Sequence, residues 1–231
     1  MTHCPRVVMF DMDGVLVKCR SSWRMLHLAF GSEELVKELM GARRFVDGEI
    51  SYEEWMRLDI EAMAAALGRP PKREEVEAVF RSAELDEDAA AVVEGLKAMG
   101  VIVGIVSGGI DVLAEMVAER LGVSKDMVFA NRLVFEDGQL LGGEEVVNPL
   151  KKDELLRQVS ERLGIPLQMF AYVGDSVWDI NALKVVGLPI LVSRDPAEAS
   201  AVAREVPGLV VVERLAQVLD IVREACGTPN N

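Results

Sequence analysis

The sequence predicts an α/β protein: a Rossmann-like, doubly wound parallel sheet with a small helical insertion after its first strand. Three observations predict it. Short, wholly apolar runs alternate with amphipathic stretches of helical length, the pattern of a parallel sheet covered by helices. Three of those runs stop at clusters of Asp, Ser and Gly, where open α/β sheets bind ligands. Between residues 18 and 88 the short apolar runs give way to helical periods.

Val7, Val8, Met9 and Phe10 form the first run. It is too short for a typical helix and is closed by Gly14, so it reads as a buried strand. Residues 18–88 are rich in Glu, Arg, Met and Ala. Within them Trp23, Leu26 and Phe30 share one helical face, and Met56, Ile60, Met63 and Leu67 share another. Ser51 with Glu54 carries a capping-box signature for the second of these helices. Pro70 and Pro71 end it, and a further helix covers 74–80. The Trp and Met stripe reads as packing. The core is then 1–17 plus 89–231, and the insertion is 18–88.

An amphipathic helix over 88–99 ends at Gly100, and a second strand over 101–106 runs into Ser107-Gly108-Gly109. A helix over 110–121 closes at Gly122, and residues 127–130 read as a third strand. Residues 132–135 and 139–141 flank Glu136-Asp137-Gly138, a hairpin signal. Asn148 and Pro149 pair as N-cap and first-turn residue for a helix reaching Leu163. Residues 170–173 form a fourth central strand before Gly174-Asp175. A helix over 180–186 and strands over 188–192 and 209–212 complete the sheet. Residues 227–231 read as a frayed tail.

The bulk numbers exclude several classes. A net charge of −13 opposes nucleic acid, whose phosphates need a basic surface, and opposes an anionic membrane surface. No run approaches membrane-spanning length, and Asp11 and Asp13 interrupt the apolar N-terminal stretch, so it is no signal peptide. Cys4, Cys19 and Cys226 are odd in number, scattered and without a CxxC pair. Zinc and disulfide frameworks are therefore not expected, and the cytoplasm is the expected compartment.

Asp11 and Asp13 at the mouth of an apolar strand are unfavourable without a cationic partner. With Ser107-Gly108-Gly109, Gly174-Asp175 and Asp179, they suit phosphoryl transfer. Asp11 can attack phosphorus as a carboxylate nucleophile. Asp13 can protonate the leaving oxygen and then activate water. Asp11 and Asp175 can hold Mg²⁺, a hard ion that prefers oxygen ligands. Ser107 can donate to a phosphate oxygen, and the glycine N–H groups can form an anion nest. A lysine is still needed to balance charge as the reaction proceeds.

FDMDGVLV, VSGG, a lysine opening a helix and GDSVWD, in this order and spacing, resemble the four motifs of the haloacid dehalogenase superfamily. IVSGGIDVLAEMVAERLG and VFANRLVFEDGQLLG are similar to its phosphoserine phosphatase-like branch. The resemblance spans nearly the whole chain. It implies Mg²⁺-dependent phosphomonoester hydrolysis through a phospho-aspartyl intermediate, under a helical cap. It makes Asp11 the nucleophile and Asp13 the general acid/base. Mg²⁺ would lie on the Asp11 side chain, the Asp13 backbone carbonyl and Asp175, with Ser107 and Gly108 on phosphate. Lys152 is the third-motif lysine, with Lys151 the adjacent alternative, and Asp179 orients it.

Some positions depart from the branch. Where phosphoserine phosphatases place a Glu against the substrate ammonium, an ungapped count puts Arg20. Their cap Arg falls near Asp59, two residues after Arg57, and Trp178 replaces the usual Asn of the fourth motif. Arg20 repels an ammonium and favours a carboxylate or second phosphate. The expected substrate is therefore a small phosphomonoester other than phosphoserine, with Arg20, Arg57 and Trp178 as candidates for reading it. Phosphoserine phosphatase is the alternative enzyme reading. A non-catalytic, phosphate-binding protein on the same fold is the alternative of another class.

Overall fold

The computed structural model describes residues 4–227. Strand β1 (Val7–Phe10) is followed by five helices: α1 (Ser22–Phe30), α2 (Glu33–Leu39), α3 (Gly41–Val46), α4 (Tyr52–Leu67) and α5 (Arg73–Arg81). Then come α6 (Ala89–Ala98), β2 (Ile102–Ile110), α7 (Asp111–Leu121), β3 (Val128–Glu136) and β4 (Gln139–Glu144). The chain continues through α8 (Lys152–Leu163), β5 (Phe170–Gly174), α9 (Ile180–Val185) and β6 (Leu188–Val192). It closes with α10 (Pro196–Glu205), β7 (Val210–Val212) and α11 (Ala216–Ala225). No helix among the described residues is long and apolar enough to cross a membrane.

The strands form one sheet in the order β4-β3-β2-β1-β5-β6-β7. Only the β3–β4 pair is antiparallel. All four β1 residues are fully buried at its centre, which is why that strand is an unbroken apolar run. Phe10 stands opposite Ile105 of β2 and Val173 of β5. The three polar clusters that follow these strands therefore emerge at one end of the sheet. The order reverses between β1 and β5, so this end is the switch point where open α/β sheets bind ligands.

The insertion is helical, as its periods require. Ser21 caps α1 by accepting from the Arg24 amide (3.2 Å), and Ser51 caps α4 by accepting from the Glu54 amide (3.1 Å). Leu26, Phe30, Ile60, Met63, Val76 and Phe80 join the core that lies on the sheet. A smaller cluster of Phe45, Ile50, Tyr52 and Met56 faces Trp23, Trp55 and Trp178. The Trp and Met stripe is thus largely packing.

Three expectations change. The separate strands over 127–130 and 132–135 are one strand, β3. Its first part pairs with β2, and the rest forms the expected hairpin with β4 around Asp137 and Gly138, both at positive φ. The helix expected from Asn148 begins instead at Lys152, because the Asn148 side chain accepts from the Leu150 amide (3.0 Å) and closes a separate turn. A disulfide joins Cys4 to Cys226, with Cα atoms 4.3 Å apart, although no disulfide was expected. Their sequence separation of 222 hides a proximity made only by the fold, which brings the lead into β1 beside the end of α11. The expected tail lies outside the described residues from 228 onward.

Candidate active site

Each charged group at this end of the sheet is held by backbone that leaves it little freedom. The Asp11 amide donates to Val173 O (2.8 Å), continuing the β1–β5 ladder by one step. Its carboxylate accepts from the Met12 amide at Oδ1 (2.7 Å) and from Lys152 Nζ at Oδ2 (2.8 Å). Gly14 follows at φ +77°, and a side chain there would run into the Asp175 carboxylate. The tight turn lets β1's loop pass against β5's loop.

Lys152 opens α8 and points its buried ammonium into the acidic cluster. It donates to Asp11 Oδ2, to Asp179 Oδ1 (2.7 Å) and to Tyr172 OH (3.2 Å). Lys151, the adjacent alternative, is exposed and lies 3.5 Å from Glu154. The helix phase thus puts Lys152, not Lys151, at the site. Asp179 is fully buried. Tyr172 OH donates to its Oδ1 (2.8 Å), and the Asp175 and Ser176 amides donate to its Oδ2 (3.0 and 3.2 Å). It fixes the lysine and the turn after β5 together.

Asp13 Oδ2 accepts from both the amide and the hydroxyl of Ser22 (2.8 Å each), at the start of α1. The Ser22 hydroxyl in turn accepts from the Ile110 amide (3.2 Å), and Ser107 Oγ accepts from the Gly109 amide (3.0 Å). A side chain at Gly109 would collide with Ser22, Asp13 and Ser107, so all three loops close on this glycine. Tyr52 OH and Asn131 Nδ2 both donate to Gly108 O (2.6 and 2.9 Å), which anchors the Ser107–Gly108 turn.

Burial dominates the acid–base behaviour here. It pushes the Asp11 carboxyl well up, helped by the neighbouring Asp179 and Asp175 charges and opposed by Lys152. It raises Asp13 against the Ser22 hydrogen bonds. Asp175 goes up to about 6, through burial and then the Asp179 charge. Burial alone would lower the Lys152 ammonium, but Asp11 and Asp179 hold it above its ordinary value. Burial would likewise raise Asp179, but Lys152 and Tyr172 hold it low.

Carboxylate oxygens of Asp11, Asp175 and Asp179 lie within 4.8 Å of one another. Lys152 supplies one buried positive charge against their three negative ones. An oxygen-only donor set with excess negative charge fits a hard divalent cation. Arg20 is a surface cation beside it, its exposed guanidinium 3.4 Å from Asp175 Oδ2 and 3.1 Å from Glu198 Oε1. Arg20 thus lies at the edge of the acidic cluster.

Arg57 does not reach it. It is on the exposed face of α4, paired with Glu61 (2.6 Å) and Glu54 (3.7 Å). Asp59 faces inward instead, 3.6 Å from His27 Nε2. The Trp178 ring lies 6.3 Å from that of Trp55, so the loop after β5 meets the insertion through two indoles. Sequence reasoning missed Ser22, Tyr52, Asn131 and Tyr172. Tyr172 had one available signal: a polar-tipped residue inside an otherwise apolar strand.

The family model for haloacid dehalogenase-like hydrolases matches residues 5–187. The phosphoserine phosphatase of Methanocaldococcus jannaschii is 31% identical over 193 residues, covering 83% of this chain and 87% of that one. The phosphoserine phosphatase of Streptomyces coelicolor is 30% identical over 223 residues, which is 95% of this chain but 51% of that longer protein. A structure described as a phospho-aspartyl intermediate analogue of phosphoserine phosphatase superposes with a TM-score of 0.74 at 28% identity. It covers 94% of this chain and 98% of its own. With the family model spanning most of its length and relatives near 30% identity, the chain belongs to the haloacid dehalogenase-like hydrolases, in the phosphoserine phosphatase-like branch.

Proposed function

We propose that the protein hydrolyses a small phosphomonoester in two steps, using Asp11 as nucleophile. The observation that carries this reading is the convergence of Asp11, Asp175 and Lys152 at the end of β1 and β5. Asp11 attacks phosphorus and the ester P–O bond breaks. Asp13, whose burial favours its protonated form, gives its proton to the departing alkoxide. The Asp13 carboxylate then takes a proton from water, whose oxygen attacks phosphorus and releases phosphate and Asp11. Lys152 holds the Asp11 carboxylate and balances charge on the transferring phosphoryl group. Ser107 and the Gly108 amide bind phosphate oxygens.

Mg²⁺ is the proposed cofactor, held by Asp11, Asp175 and the Asp13 backbone carbonyl, with Asp179 behind them. When bound it supplies the positive charge that lets a phosphate dianion approach carboxylates.

The leaving group has two readings, each with its own support. The relatives make phosphoserine the best-supported substrate. Arg20 beside Asp175, and Asp59 rather than an arginine on the inner face of α4, favour a different alcohol, because they present an ammonium and a carboxylate with the wrong charges. A panel of metabolite phosphates assayed with Mg²⁺ tests both, with wild type and Arg20→Glu side by side. Dominant phosphoserine turnover by wild type establishes the first reading. If phosphoserine is poor and improves in Arg20→Glu, the second stands. No Mg²⁺-dependent phosphate release from any ester would refute both.

A further inference from the structure

The buried acidic cluster is unevenly satisfied. Asp11 accepts from the Met12 amide and from Lys152, and Asp179 accepts from Lys152, Tyr172 and two amides. Among the described residues the Asp175 carboxylate accepts from Arg20 alone, at Oδ2 over 3.4 Å. A buried carboxylate with a single long contact is poorly satisfied and attracts any cation that can reach it. The turn at Gly14 closes one side of the same oxygen, since an added side-chain carbon there would stand 2.1 Å from Asp175 Oδ2.

Arg20 is in turn held by a second carboxylate. Its Nη2, the nitrogen that faces Asp175, also donates to both oxygens of Glu198 (3.1 and 3.3 Å). Glu198 lies in the first turn of α10, and Ser193 Oγ donates to its Oε2 (3.3 Å). The contacts to Glu198 are the shorter ones, and the Arg20 side chain is 65% exposed. Glu198 therefore keeps a solvent-facing guanidinium beside Asp175 without burying it. Arg20 can give up the longer contact and still keep its partner on α10.

We propose that Arg20 competes with the divalent ion for Asp175, and that Glu198 keeps it in place to do so. Binding of the ion shifts the guanidinium off Asp175 and onto Glu198 alone. Ion and guanidinium are both positive and draw on one carboxylate, so each weakens the other's hold. Affinity for the ion is thereby set below what the three carboxylates alone would give. In this role Arg20 touches no reacting atom and acts through Asp175. The proposal rests on the Mg²⁺ site above and holds whichever ester is the substrate.

Titration with Mn²⁺, read as loss of the free ion's electron paramagnetic resonance signal, followed by displacement with Mg²⁺, gives both affinities without turnover. Wild type, Arg20→Gln, Glu198→Gln and the double variant are compared at pH 8, each with an unchanged circular dichroism spectrum. At low ionic strength Arg20→Gln should bind both ions at least threefold more tightly than wild type. That gain should shrink below twofold in about 0.5 M KCl, where exposed charges are screened. It should also shrink below twofold between Glu198→Gln and the double variant, because an untethered Arg20 no longer stays beside Asp175.

Equal or weaker binding by Arg20→Gln overturns the proposal, and so does a gain that survives either high salt or the loss of Glu198. Equal binding by wild type and Arg20→Gln removes the competitor and leaves the Mg²⁺ site standing. If neither protein binds either ion, the cofactor reading itself fails and takes the proposal with it.

Discussion

Asp13 shows how one side chain's surroundings select its role. Two donors from Ser22 hold one carboxylate oxygen, and burial favours the protonated form. Asp13→Asn keeps the shape and removes the transferable proton. Turnover of an alkyl phosphate should fall about 10²- to 10⁴-fold, the usual contribution of general acid–base catalysis. Turnover of an aryl phosphate, whose leaving group needs less protonation, should fall less. Steady-state rates on the two ester types check this, and equal losses would deny Asp13 the role of acid.

Asp175 gives a pH signature at the same scale. Its carboxyl rises from 3.8 to about 6 in the fold. The folded protein therefore binds this proton more tightly than the unfolded chain does. In chelator, that contribution favours the fold at low pH and is lost as pH rises from about 3.8 to about 6. A divalent ion requires the ionised carboxylate. The rise in Tm on adding Mg²⁺ should therefore be larger at pH 7 than at pH 4.5, as read by thermal denaturation; an equal rise at both would contradict the assignment.

The residues that announce chemistry were legible because each follows a short apolar strand. The choice of Lys152 over Lys151 is decided by helix phase. Arg57 and Asp59 were separable only by the rotation of α4. Ser22 and Asn131 carry no mark in sequence, because their partners lie 88 and 23 residues away in Ile110 and Gly108.

Between strands, the element that ties the site to the insertion is the bend of β3. Asn131 stands at the bend, where β3 leaves β2 for β4. Its amide donates to Gly108 O and Val147 O, and its oxygen accepts from the Val146 and Val147 amides. Tyr52 of α4 reaches the same Gly108 carbonyl. Asn131→Ala would leave several buried backbone groups unpaired and should destabilise the fold by about 2 kcal/mol or more. It should also raise KM for phosphate esters by loosening the Ser107–Gly108 turn. Denaturant melts and steady-state kinetics check both, and a neutral effect on each would remove Asn131 from the site's support.

Element existence was legible where the pattern is strong, as in the short apolar run of β1, the helical period of α4 and the turn signal of the β3–β4 hairpin. It was less so where a local signal has two uses. Asn148-Pro149 is as good a turn as a helix start, and long-range packing of Lys152 decided between them. Asp195-Pro196 is a true cap and first-turn pair, with the Ala197 amide donating to Asp195 Oδ1 (2.8 Å), and it marks an α10 that the strand-by-strand reading passed over.

At the scale of the whole molecule, the sheet order puts the loops of the proposed site at one end, while the Cys4–Cys226 link lies beyond the start of β1, at the other. Opening that link frees a loop of 222 residues in the unfolded chain. Cys226→Ser should therefore lower stability by about 2–5 kcal/mol and leave kcat/KM unchanged. Calorimetry with parallel assays tests this, and unchanged stability would show the link to be inert. The disulfide was illegible from spacing because the proximity of the two ends is a property of the completed fold.

The central claim is that phosphorus passes through the Asp11 carboxylate. Acid-quenching the Mg²⁺-loaded protein within one turnover, then locating the added phosphoryl group by peptide mass spectrometry, tests it most directly. A hydroxylamine-labile phosphoryl group on the peptide carrying Asp11, absent in Asp11→Asn, is the predicted result. Phosphate release with that peptide never labelled, or full activity in Asp11→Asn, would contradict it.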